Sequence, residues 1–195
     1  RDLQNINPKS VLPFYDGVFD GYEEAHVTDE GVMPLFREEE LEEVNQKFNK
    51  DLEKLNEDNA DKTILSLGNP SAILRSTGVQ DKPIKLYGNK LMAKMRKHGY
   101  TKDDVKDLPK ALEKPLSVFK GSQPESFAIL TEMDIAGDKV LVTLRVGKGG
   151  NDIDFNLISS AYGKDFASIV RWINNHKLKY ADKEKVLDYL YSSAP

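Results

Sequence analysis

The chain has 195 residues, 39% hydrophobic and 31% charged, with a net charge of −4, enough length and apolar content for one domain with a real core. No apolar run reaches the roughly 20 residues of a membrane helix, so no membrane partner is expected. The lack of cysteine rules out disulfides and thiolate zinc sites.

His26, His98 and His176 are scattered without metal-ligand spacing, so no metal site is expected. The charge is divided along the chain. Residues 1–62 carry 17 acidic and 7 basic side chains, a balance of −10, and residues 63–195 carry 15 and 21, a balance of +6. A basic body behind an acidic leader points to an anionic partner, and the leader is a candidate to lie on the same surface. Lack of cysteine fits action in the cytoplasm. A start at Arg1 rather than Met suggests part of a longer polypeptide, with room for an upstream targeting segment.

Residues 1–36 read as an irregular leader, rich in helix-breaking Pro8, Pro13 and Pro34 but carrying Phe14, Tyr15, Phe19, Tyr22 and Phe36. Its acidic set Asp16, Asp20, Glu23 and Glu24 lacks the spacing of a calcium loop. Residues 37–62 read as an acidic amphipathic helix, with Leu41, Val44, Phe48, Leu52 and Leu55 at three- and four-residue intervals. That helix either packs on the domain or pairs with another chain.

The body spans residues 63–195. Pro70 opens a short helix that Gly78 ends, and Pro83–Tyr87 is extended. A helix from Lys90 to His98 follows, stopped by Gly99. Thr101 with Asp104 has the pattern of a capping box, and another turn begins at Leu108. From Pro115 the period changes. Residues 116–120, 127–133, 139–146 and 153–162 read as four strands with tight links. Helices return at 165–174 and 182–191. The expected fold is α+β: N-terminal helices, a four-stranded antiparallel meander sheet, then C-terminal helices.

Three stretches carry candidate chemistry. Lys90, Lys94 and His98 fall along one side of their helix, with Leu91 and Met95 turned toward a core. An imidazole there can give or take a proton near neutrality, beside ammonium groups that hold phosphate and lower its pKa. The same spacing also describes an ordinary basic helix surface. In the second stretch, Ser159-Ser160-Ala161-Tyr162-Gly163-Lys164 ends the last strand. Alternation sends Ser159 with Ala161 one way and Ser160 with Tyr162 the other, and Lys164 adds a cation. It lacks the pattern of a nucleophile elbow, and a plain strand end is the competing reading. Third, Lys120 and Ser122 can add donors to the same anion, or form only a turn. Arg145 is left between the sheet face and solvent. Trp172 reads as packing.

The order and spacing of short landmarks from Leu67 to Leu190 resemble the phage MuF C-terminal domain family, within the barnase, EndoU, colicin and RelE type nuclease superfamily. These landmarks are Leu67-Gly68-Asn69-Pro70, Lys90 to His98, Asp107-Leu108-Pro109, Pro115-Leu116-Ser117-Val118-Phe119, Ser159 to Lys164, and Trp172-Ile173. The resemblance implies a toxin- or effector-type domain of a phage or mobile-element protein. Its implied substrate is RNA, with DNA second, and it would be cut by attack of the 2′-hydroxyl on phosphorus without metal or cofactor. An immunity protein or upstream domains of the same polypeptide are the implied partners. On this reading His98, Lys94, Ser160 and Tyr162 do the chemistry, and Lys90, Lys120, Ser122, Ser159 and Lys164 hold substrate. The resemblance departs from the superfamily at the catalytic pair. No glutamate matches the barnase-type base, and neither His26 nor His176 supplies an evident second histidine. A non-catalytic module that binds nucleic acid or protein is therefore the rival, with the long helix and the leader as its working surface.

Overall fold

The computed structural model describes residues 38–148 and 154–193. The aromatic and acidic leader, with its candidate calcium set, lies outside them. Helix α1 (Glu38–Lys54) is followed by strand β1 (Ile64–Ser66), helix α2 (Ala72–Ser76) and strand β2 (Ile84–Tyr87). Helices α3 (Gly88–His98) and α4 (Leu108–Glu113) come next. Strands β3 (Ser117–Lys120), β4 (Ser126–Ile135), β5 (Asp138–Lys148) and β6 (Asp154–Lys164) follow. Helix α5 (Phe166–Asn174), strand β7 (Leu178–Ala181) and helix α6 (Lys183–Ser193) complete the chain. No described helix is long and apolar enough to cross a membrane.

The fold mixes helices with a single sheet, but the sheet is not the expected four-stranded antiparallel one. It has seven strands in the order β1-β2-β6-β5-β4-β3-β7. Strands β3 to β6 pair consecutively and antiparallel, while β2 joins β6 in parallel. The three additional strands have only three or four residues each, so little in the local sequence marks them as members of the sheet. The parallel pair is a long-range contact across about 70 residues, which local sequence does not encode.

Alternation along the strands divides the apolar residues between two cores. On one face, here the back, Val118, Ile129, Val140, Val142, Leu144, Ile158 and Ala161 pack with residues of α1 to α4. On the front, Phe119, Ala128, Leu130 and Leu141 pack with Ile169, Val170 and Ile173 of α5 and Val186, Tyr189 and Leu190 of α6.

Helix α1 is part of the back core and does not stand apart from the body. Phe48, Leu52 and Leu55 are fully or almost fully buried there. Its polar side is fastened as well. The Asp107 carboxylate accepts hydrogen bonds from the side chains of Asn45 (2.8 Å) and Asn49 (2.7 Å). The Asp107 backbone N–H donates to the Asn49 side chain at 2.9 Å. The amide bonds hold the Asp107 carboxyl below the usual carboxylate range. Beyond the helix end, the Lys102 ammonium donates to the carbonyls of Glu53 (3.0 Å) and Leu55, satisfying acceptors left open by helix termination.

Gly88 lets α3 start where it does. A Cβ at this position would lie 2.7 Å from Leu55 Cδ1 and 3.0 Å from the Ala60 carbonyl oxygen, so only glycine lets the helix approach this closely. Truncating Phe48 to alanine should cost about 3–5 kcal/mol, as for a buried aromatic in a packed core. Urea unfolding of Phe48→Ala should show one cooperative transition with its midpoint displaced accordingly. A loss below about 1 kcal/mol would mean that α1 is only loosely attached.

Candidate anion site at the edge of β6

The site begins where strand pairing ends. Strand β2 meets β6 through Ile84↔Asn156 and Lys85↔Leu157 only. Beyond Leu157 the outer edge of β6 has no strand partner among the described residues, and exposed edges of this kind must be covered. Helix α3 follows β2 directly and packs along this stretch. Gly99, in the left-handed conformation (φ 68°), caps the helix and returns its N–H to the Met95 carbonyl. The chain turns there, and the buried Tyr100 hydroxyl donates to the Ala161 carbonyl of β6. Burial, with Asp104 adding to it, pushes this phenol well above its ordinary pKa, so it remains a donor.

This anchoring brings the last residue of α3 against β6. The His98 imidazole stacks on the Tyr162 ring with centroids 4.2 Å apart and planes only 3° from parallel. Tyr162 stands opposite Leu141 in the β5–β6 register and so belongs to the front face. His98 comes from a helix on the back face, so the two rings meet around the open edge. The Lys94 ammonium lies 5.7 Å from the Tyr162 centroid and that of Lys164 lies 5.6 Å away. Lys164 is also 5.5 Å from the Trp172 ring, which packs edge-on against Phe119.

The cationic surroundings alter the imidazole. Partial burial against the ring holds the His98 pKa below its ordinary value, and the charges of Lys94, Lys97 and Lys164 act in the same direction. His98 is therefore mainly neutral at pH 7 and able to accept a proton. Its side chain is exposed to solvent, and neither ring nitrogen has a hydrogen-bond partner among the described residues. A carboxylate borders these charges. Asp165, next to Lys164, caps α5 by accepting from the Ser168 N–H (2.9 Å) and hydroxyl (2.8 Å). Burial raises the Asp165 pKa, but the Ser168 bonds and Lys164 outweigh it and leave the carboxyl low. The carboxylate is thus committed to the helix start.

The structure brings His98, Lys94, Tyr162 and Lys164 together. Ser160, opposite Thr143, stands on the same face two residues from Tyr162. The β5–β6 register shifts at Ser159, which departs from simple alternation. Its hydroxyl faces the Thr143 carbonyl at 3.4 Å. Lys90 lies two turns before His98 on the exposed side of α3. Lys120 and Ser122 do not join the cluster. Strand β3 is separated from β6 by β4 and β5, so Lys120 sits roughly 14 Å away across the sheet at about 4.8 Å per strand. Ser122 is farther along the same connection. Adjacency to a strand end suggested these two residues, but strand order removes them. Trp172 is the residue that sequence reading undervalued. It is half-buried, and its wall position depends on where Asp165 starts α5.

The arrangement defines an α+β protein with a cationic, histidine-bearing cluster at a sheet edge. Residues 89–188 match the phage MuF C-terminal domain, and the chain belongs to that family. The match contains α3, β3 to β6 and α5, hence every residue of the site. Leu67-Gly68-Asn69-Pro70 lies before it. No curated protein and no solved structure matches the chain.

Replacing Lys94 with glutamine should raise the His98 pKa, because a positive neighbour that disfavours imidazolium is removed. Tyr162→Ala should raise it too, by exposing the ring to water. Titration of the His98 Cε1 proton by NMR measures both shifts. Downward movement in either variant would contradict the electrostatic account.

Proposed function

We propose that this is a ribonuclease-like domain that cleaves RNA by attack of the 2′-hydroxyl on the adjacent phosphate, at the site formed by His98, Tyr162, Lys94 and Lys164. The observation that carries this reading is a mainly neutral, solvent-facing imidazole stacked on a phenol among three ammonium groups. Those groups supply the two functions the reaction requires, a proton acceptor and a cradle for negative charge. The membership in a phage domain family accords with a placement in the barnase, EndoU, colicin and RelE type superfamily, which is part of the proposal.

In the proposed reaction His98 takes the proton of the 2′-hydroxyl. The oxygen forms a bond to phosphorus as the bond to the 5′-oxygen breaks. The leaving oxygen takes a proton from water, or from the Lys94 or Lys164 ammonium, which regains one from solvent, and the imidazolium later returns its own to solvent. The products are a 2′,3′-cyclic phosphate and a free 5′-hydroxyl. Lys94 and Lys164 stabilise charge on the phosphoryl oxygens, while Tyr162 and Ser160 donate hydrogen bonds that orient them. Lys90 and Ser159 lie where they can steer the flanking backbone.

Binding without turnover is the second reading. It is favoured by the lack of any hydrogen-bond partner for either imidazole nitrogen among the described residues, since catalytic histidines are commonly fixed by a hydrogen bond to the second nitrogen. Incubation with RNA in EDTA separates the two. Cleavage should yield 2′,3′-cyclic ends, and His98→Ala should lower the rate by about 10²–10⁴-fold, as for loss of a general base. Equal cleavage by His98→Ala would remove catalysis from this site. The rate should rise with pH as His98 loses its proton, with a midpoint below the ordinary imidazole value, and then level through neutrality. A rate that falls over that interval would make His98 the acid instead of the base.

A further inference from the structure

The two front-face helices leave part of the sheet bare. Their apolar residues pack on Phe119, Ala128, Leu130 and Leu141. The neighbouring front-face positions of β5 and β6 remain open. Thr143 and Ser160 are half-buried partners, and Arg145, opposite Leu157, is exposed. Arg145 has no ion-pair or hydrogen-bond partner among the described residues. Tyr162 and Lys164 continue the strip at the site end, and the turn that carries Ser122 approaches at the other, where Ser126 stands opposite Arg145.

Two features distinguish this strip from an ordinary solvated strand face. First, its front-facing side chains include arginine, lysine, hydroxyls and a phenol but no carboxylate between Arg145 and Lys164, whereas a solvated face mixes both signs. Second, it is continuous with the His98 cluster and has an aromatic wall, the half-buried Trp172 resting on Phe119. The four residues from the level of Tyr162 to Arg145 span roughly 14 Å at about 3.4 Å per residue. That is about two nucleotide steps of an extended strand. The strip is two strands wide, about 10 Å at the sheet's own spacing, narrower than a duplex.

We propose that this strip is the track of single-stranded RNA, in which Arg145 holds a phosphate about two nucleotides from the one at His98 and Trp172 offers a stacking surface for an intervening base. The proposal rests on the reading of the His98 cluster as a phosphate site and adds the extent and class of the substrate. A guanidinium suits the distal position because its fork can grip two phosphate oxygens.

The test uses a 2′-O-methyl tetranucleotide, which binds but cannot be cleaved, and a nucleoside 3′-monophosphate. Binding is measured by fluorescence anisotropy and NMR titration respectively. Arg145→Gln should weaken the tetranucleotide about tenfold and flatten its log–log salt dependence by about 0.7, one phosphate contact on a single strand. The monophosphate should bind as before. Lys164→Gln should weaken both ligands. Lys50→Gln, the same charge change at an exposed position of α1, should alter neither. Unchanged tetranucleotide binding by Arg145→Gln overturns the track, as does an equal loss for the monophosphate. An equal effect from Lys50→Gln reduces the result to net charge and also overturns it. If the parent chain binds neither ligand, the phosphate site itself fails and the track falls with it.

Discussion

The arrangement depends on an unpaired length of β6. A strand that pairs on one side only exposes a row of backbone donors and acceptors, and a fold must cover them. Here β2 provides cover as far as Leu157, and the chain then continues straight into α3. The tight approach allowed by Gly88 seats the start of the helix on Leu55 and Ala60, and the bond from Tyr100 to Ala161 holds the residues after it against the strand. His98 lies between these two attachments. Its meeting with Tyr162 follows from how the edge is closed, not from the chemistry of two aromatic rings finding each other.

The helix that performs this closure is also suited to being cationic at its far end. Arg96, Lys97 and His98 form the last turn of α3, where the helix dipole presents partial negative charge and favours positive side chains by about 0.3–1 kcal/mol each. Opposing this, desolvation and then the charges of Lys94, Lys97 and Lys164 lower the His98 pKa and disfavour a further positive charge on the imidazole. The fold thus carries these charges at a helix end that favours them while keeping the imidazole itself mainly neutral. Arg96 differs from its neighbours. It pairs with Glu57 at 2.7 Å, with both side chains well exposed, a contact that contributes little to stability but directs that guanidinium away from the site.

Much of this was legible in the chain, and the parts that were not share a cause. The 3.6-residue period of Leu41 to Leu55 marks α1 because it records burial on one face, and apolar runs bounded by turn residues mark β3 to β6, which are buried on both faces in part. The four-residue interval from Lys94 to His98 likewise places both on one side of α3. The strip Ser160-Tyr162-Lys164 follows from alternation. Local patterns do not reveal which strand lies next to which. For that reason β1, β2 and β7, each short, escaped notice as members of the sheet. Lys120 and Ser122 were grouped with a site from which two intervening strands separate them. Nor do local patterns show the setting of Arg145 or Trp172, which is defined by strand register and by where α5 begins.

Because structure and site share the same edge, substitutions here have two routes to loss of function. Tyr100 and Ala161 touch no candidate substrate position, yet removing the Tyr100 hydroxyl would leave a strand carbonyl unpaired in a buried place, at a cost of about 1–3 kcal/mol. Such a change would loosen α3 and move His98 without altering any group proposed to meet phosphate. His98 and Lys94 lie on the other side of this division. His98 is exposed and Lys94 half-buried, and the core cluster of Leu91, Val142 and Ile158 includes neither. Loss of activity with unchanged unfolding behaviour therefore points to the surface pair, and loss of both points to the edge that holds it. The two rings meet where these roles adjoin, which makes Tyr162, half-buried against the helix and half-open to solvent, the residue at which a purely chemical role and a purely architectural one are least separable.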